Sequence, residues 1–217
     1  MSNEIFKWMP QMVDMKDSTK YNVIGSEYEN GMTQRGLISE RESNKFTFNY
    51  RNKLLNPGEE IVLKNEIRLF FKARQGSYDN FFIPSWKLEG KILGGVTTAD
   101  NTLKISKDPS YLEFSQTECE SGNYIYLCKK FCRGFEVTTV HEINRISSWA
   151  VSGADWEITL ENDFTNDYPI NTYIQKAYKV FFSDDELPYS FEIPYGIDVV
   201  LNFEEDLASL YQTDFGV

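Results

Sequence analysis

Lys45-Phe46-Thr47-Phe48-Asn49-Tyr50 places Phe46, Phe48 and Tyr50 on one face and polar residues on the other. That period-2 alternation marks a half-buried β-strand. Six residues later, Asn56-Pro57-Gly58-Glu59-Glu60 reads as a helix start, with proline tolerated in the first turn and acidic residues complementing the dipole. Leu63, Ile67 and Phe70 follow at i, i+4 and i+7, and Leu69, Phe71 and Ala73 are expected to widen the apolar stripe. Lys72 and Arg74 fall in the last turn, and Gly76 is placed to end the helix, which is expected over about 58–75.

Upstream, Tyr21-Asn22-Val23-Ile24-Gly25-Ser26 and Leu37-Ile38 read as weaker strands, with turn chemistry at Glu29-Asn30-Gly31. Together with Phe46–Tyr50 they predict a twisted antiparallel sheet braced by the helix. Phe81-Phe82-Ile83-Pro84 is a short apolar strand. Beyond Gly94-Gly95 come strand-like pieces at 102–105, 111–114, 123–127, 135–140, 156–160 and 172–174, separated by Gly, Asp, Asn and Ser. Short strands at such spacing predict a small barrel or sandwich. Strand signals return at 179–182 and 198–203. The expected class is mainly β (α+β), with residues 1–95 as a sheet domain bearing the helix. Residues 96–176 are expected as an inserted β-barrel-like module, and 177–217 as strands completing the first domain.

The 217 residues carry 33 acidic and 22 basic side chains, a net charge of −11, and Phe 16, Tyr 13 and Trp 4 exclude wholesale disorder. A surface of that sign repels polyanions, and Lys129-Lys130 with Arg133 is too short for a phosphate track, so stable DNA binding is disfavoured. No apolar run approaches the ~18 residues of a membrane span, and the N-terminus lacks the apolar core of a secretory signal. The expectation is a soluble, intracellularly made protein.

Cys119, Cys128 and Cys132 are an odd set, which excludes a complete disulfide framework. Cys128, Cys132 and the single His141 lack the paired spacing of zinc ligands, so reduced, packed thiols are expected rather than a metal site. Gly90–Gly95 lacks the spacing of a phosphate loop, and no Gly-x-Ser-x-Gly elbow is present. Asp184-Asp185-Glu186 is a candidate acid/base or cation cluster for a hydrolase, against the plainer reading of a solvated turn. Trp149 and Trp156 are candidate stacking platforms for a glycan-binding β-module, against the plainer reading of core aromatics. No cofactor or metal is expected.

The order Glu29-Asn30-Gly31-Met32-Thr33-Gln34-Arg35, then Phe46–Tyr50, then Phe70-Phe71-Lys72-Ala73-Arg74-Gln75-Gly76, then Phe81-Phe82-Ile83-Pro84 resembles a bacteriophage family. These are the distal-tail and tail-tip (baseplate) tube proteins of long-tailed, non-contractile phages, related prophages and gene transfer agents. In that pattern Lys45 stands where arginine is usual before the second strand; the stretches Phe135–Val140, Trp156–Leu160, Tyr168–Ile174 and Lys179–Phe182 are similar to a small β-module of phage minor tail proteins, with Asn171 where glycine is usual. The terminal Val199–Glu205 resembles the closing strand of the same proteins. Some tail-tip proteins hold an iron–sulfur cluster on four cysteines; with three here, that ligand set does not transfer.

The resemblance implies a virion structural protein with no enzymatic activity, assembled in the host bacterial cytoplasm and located in the tail. It implies copies in a ring, a hexamer or else a trimer, between tail tube and baseplate hub proteins, with DNA passing through unbound. Glu27, Glu29, Glu40 and Glu42 are the candidate lumen-facing carboxylates, against the plainer reading of solvent-facing strand residues.

Overall fold

A computed structural model describes residues 4–6, 15–20, 23–27, 33–37, 43–49, 59–86, 89–106, 122–128, 140–187, 189–192 and 196–206. Among these residues the protein is mainly β, with antiparallel strand ladders and a single α-helix. The strands in chain order are β1 (Met15–Lys20), β2 (Val23–Glu27), β3 (Thr33–Leu37) and β4 (Ser43–Asn49), followed by α1 (Glu59–Ala73). Then come β5 (Phe81–Pro84), β6 (Gly90–Lys91), β7 (Thr102–Ser106), β8 (Tyr124–Cys128), β9 (His141–Ser152) and β10 (Asp155–Leu160). The last are β11 (Tyr173–Phe182), β12 (Tyr189–Glu192) and β13 (Gly196–Glu205). The chain divides into two compact units, Met1–Met9 with Phe81–Lys179 and Pro10–Asn80 with Val180–Val217.

In the unit containing α1, β4 is central, pairing with β1 on one side and with β13 on the other. Its alternation is the one the sequence predicts: Phe46 and Phe48 are buried, while Lys45 and Thr47 are half-buried. On the polar face Thr47 Oγ1 donates to Asn202 Oδ1 at 3.0 Å, and Lys45 meets Glu204 at 3.0 Å. On the apolar face Phe48 sits edge-on to Phe203 at 5.0 Å, and Phe203 contacts Phe182 at 5.2 Å. Helix α1 joins this cluster through Phe71 and Phe70, whose rings lie 4.8 and 6.3 Å from that of Phe182.

The helix ends in a Schellman arrangement: Gly76 N–H donates to the Phe71 carbonyl and Gln75 N–H to that of Lys72. Gln75 (φ 54°) takes the left-handed position and Gly76 (φ 65°) follows it. One expectation is corrected here. Leu69 is 65% exposed and Ala73 is exposed, so neither widens the buried stripe. At about 100° per residue, Leu69 lies some 200° around the helix from the buried Ile67. The side chain of Leu63 lies outside the described residues.

In the other unit the ladder runs β7–β10–β9–β8–β11–β6. The residues after β6 continue it, since Ile92 N–H donates to the Thr172 carbonyl and Leu93 N–H to that of Lys104. Side chains from all of these segments meet in one cluster: Ile92, Leu103 and Ile105, Ile125 and Leu127, Ile146, Ile158 and Leu160, and Ile174. Phe164 and Tyr168 enter it from the segment after β10. A second cluster of Phe82, Tyr126, Cys128, Ile143 and Ala177 draws on the alternate positions of β8, β9 and β11. Strand β8 therefore has both faces buried, which is why it reads as an unbroken apolar run.

The long β9 is absent from the sequence reading, which places a strand at 135–140 instead. Val140 is not in a strand, and residues 135–139 lie outside the described residues. In β9 the inward positions are Glu142, Asn144 and Ile146, so the apolar alternation is broken by two buried polar residues. The strand expected at 111–114 also lies outside the described residues. The pieces expected at 172–174 and 179–182 are one continuous strand, β11.

Candidate functional site

Of the candidate lumen carboxylates, Glu27 closes β2 opposite Thr33. Glu29, Glu40 and Glu42 lie outside the described residues, as does the side chain of Glu27.

The Asp184–Glu186 cluster is an exposed turn whose first two carboxylates already hold local structure. Asp185 accepts hydrogen bonds from the Ser77 hydroxyl and from Ser77 N–H, the latter at 3.2 Å. The hydroxyl and then the amide of Ser77 hold the Asp185 carboxyl below the usual aspartate value. Asp184 accepts from Asn202 Nδ2 at 3.0 Å. The turn fastens the segment after α1 and the middle of β13.

Trp149 and Trp156 meet edge to face, with ring centroids 4.8 Å apart at 73°, and both are half-buried against the first cluster. Each ring is engaged by the other and by the core beneath, rather than set flat to solvent as a sugar-stacking platform is.

Cys128 and His141 are directly opposite one another across β8 and β9. Cys128 is buried, and the His141 ring stacks on Tyr126 at 6.0 Å. Cys119 and Cys132 lie outside the described residues. Among the described residues no group of three His, Cys, Asp or Glu side chains is arranged to hold a metal ion.

A polar node that the sequence reading missed lies at the start of β9. The buried Glu142 carboxylate accepts from Thr165 N–H at 3.1 Å, from Thr165 Oγ1 at 3.1 Å and from Tyr168 OH at 3.4 Å. Burial, and then the neighbouring Glu142 charge, push the Tyr168 phenol well above the ordinary tyrosine range. Two residues on, Asn144 Nδ2 donates to the Asn162 carbonyl at 2.7 Å, and Asn144 Oδ1 accepts from Arg145 N–H at 2.9 Å. Arg145 then pairs with Glu161 at 3.1 Å. These bonds strap the 161–168 segment over the end of the strand. Buried polar groups persist where such bonding satisfies them. The only sequence signal was an acid and an amide set at i, i+2 beside Ile143 and Ile146.

The remaining feature with functional content is the sheet edge. Strand β1 pairs with β4 alone, and β2 and β3 pair only with each other, among the described residues. Strand β9 pairs with β8 through residues 141–145, and Ile146 bonds to Gly122 and Asn123. From Ser147 to Ser152 only β10 lies alongside it among the described residues. An open strand edge offers a row of N–H and C=O groups to another chain.

Neither a scan against protein-family models nor a search of curated proteins finds a match to this chain. Among the described residues no helix is long and apolar enough to cross a membrane.

Proposed function

We propose that the chain is a ring-forming structural subunit of a phage tail tip or baseplate, joining the tail tube to the tip and lining the DNA passage, with no enzymatic activity. The observation that carries this reading is the order of elements. Strand β3, strand β4, helix α1 with its close at Gly76, and the Phe-rich β5 follow one another as the tail-protein motifs do. Among the described residues β1 pairs only with β4 and the β2–β3 hairpin only with itself, which supports it further, because a two-stranded sheet is marginal by itself in water and gains from a neighbouring strand.

In this account six copies, or three, join edge to edge by a heterologous contact that closes on itself. Six copies at −11 each bring about −66 charges to one layer, so ejected DNA passes a repelling wall and releases few counterions to it. The unit containing β7–β11 is a small closed barrel. Residues 90–93 bond to β11 on one side and to β7 on the other, which supports closure of the ladder around the cluster that holds Ile92, Leu103, Ile125 and Ile158. The subunit assembles in the host cytoplasm and resides in the virion tail beside tube and hub proteins.

Fractionation of particles from the producing cells tests the assignment. Mass spectrometry of purified tails should recover this chain at a fixed ratio to the tube protein. Recovery only from the particle-free extract would overturn the assignment.

A further inference from the structure

Helix α1 turns an apolar line to solvent as well as one to its sheet. Val62 and Leu69 are 57% and 65% exposed. At about 100° per residue, their spacing of seven sets them within about 20° of one line along the helix. Ala73, also exposed, falls close to that line four residues further on. Arg68 and Lys72, exposed and one turn apart, stand beside it. Neither forms an ion pair among the described residues. In a chain of net −11, the helix therefore offers solvent an apolar line rimmed by cations.

The complementary surface lies in the loops that follow β6 and β10. From Leu93 to Leu103 and from Leu160 to Tyr173 the charged residues are Asp100, Glu161, Asp163 and Asp167, with no lysine or arginine. Backbone bonds make one structure of the two loops. Val96 and Tyr168 exchange hydrogen bonds at 2.9 Å each, and Phe164 N–H donates to the Asp100 carbonyl at 2.8 Å. Thr98 N–H donates to Asp167 Oδ1 at 2.8 Å. Ile170 is 58% exposed and Leu93 38% exposed, and Asp100, Asp163 and Asp167 are exposed with them. Glu161 is taken up by Arg145, whereas Asp163 and Asp167 meet no cation among the described residues.

We infer that α1 of one copy docks on this loop pair of the next. Val62 and Leu69 cover Ile170 and Leu93, and Arg68 and Lys72 reach Asp163 and Asp167. Each surface supplies what the other lacks, an opposite charge beside an apolar patch, and both belong to this chain. Four of the six large apolar side chains exposed among the described residues lie on these two surfaces, so the docking covers most of that apolar exposure. Helix against helix would set cation on cation, and loops against loops carboxylate on carboxylate, so the pairing runs head to tail. Such a heterologous contact repeats from copy to copy. It deepens the ring reading, on which its closure into an annulus rests.

Carbodiimide coupling of an equal mixture of heavy-isotope-labelled and unlabelled protein tests the contact in the unmodified chain. The reagent joins a lysine amine to a carboxylate where the two meet, and mixed-isotope peptides report links between copies. Lys72 should be joined to Asp163 or Asp167 in mixed-isotope peptides. Leu69→Asn and Ile170→Asn, at exposed positions, should each lower that yield by about tenfold at fixed protein concentration, as loss of one buried aliphatic side chain does. Arg68→Glu should lower it too, and helix ellipticity should be unchanged in all three variants. The absence of mixed-isotope links at Lys72, equal coupling of Lys72 to Asp155 or Glu186, or a yield unmoved by Leu69→Asn would overturn the inference. Tails that hold rings of this chain without the Lys72 link would overturn the contact and leave the ring reading standing. The mixed-isotope link in a chain absent from tails would do the reverse.

Discussion

Phe182→Ala tests how α1 is held to its sheet. The Phe182 ring is 2% exposed and touches Phe71, Phe70 and Phe203, so its removal opens a cavity under the helix and deletes three aromatic contacts. Phe→Ala in a well-packed core costs about 3–5 kcal/mol, and each aromatic pair is worth about 0.5–1.5 kcal/mol beyond its buried area. Taking about 4 kcal/mol, and a urea slope of about 2 kcal/mol per molar, the unfolding midpoint read by helix ellipticity should fall by about 2 M. That is a large share of a total stability of about 5–15 kcal/mol. Phe182→Leu keeps most of the volume and should cost well under half as much. A loss below about 1 kcal/mol for the alanine variant, with the helix signal intact, would refute the packing described.

Glu142→Gln replaces an acceptor-only carboxylate with an amide whose N–H₂ confronts the Thr165 donors; a loss of about 1.5–3 kcal/mol is expected in denaturant titration, with faster exchange of the Thr165 amide. Asp185 is held below its ordinary value of 3.8 in the folded protein, so its contribution is present at neutral pH and is lost as pH falls through the lowered folded value. The Tm gap between wild type and Asp185→Asn should accordingly be constant near neutrality and close in strong acid; a gap that widens in acid would reverse the assignment. Asn171 occupies the left-handed region at φ 67°. Asn171→Gly should hold or raise Tm, whereas the β-branched Asn171→Val should cost about 1–2 kcal/mol in thermal unfolding.

What the sequence made legible was whatever one local period could carry. Phe46 and Phe48 alternate on a strand with one buried face, and Ile67 and Phe70 mark the inner side of α1; both readings stand in the structure. Leu69 misled because apolar residues two apart in a helix share no face. Strand β9 was hidden because Glu142 and Asn144 point inward, satisfied by residues about 18–26 positions further along, and no local pattern announces such bonding. The helix stop was read at Gly76, whereas Gln75 takes the left-handed position first, a choice set by the closing hydrogen bonds. Asn171 takes a positive φ in the turn before β11, and asparagine is among the few side chains that accept that conformation.

The central claim is that the strand edges of this protein are completed by like subunits arranged around a channel. An electron-microscopy map of the intact particle, with this chain placed in it, measures that directly. The account predicts three or six copies side by side around the axis, strands continuous from one subunit to the next, and a channel wall of carboxylates and polar groups that includes Glu27. A lone copy with no like subunit beside it, or a wall of lysine and arginine, would contradict it.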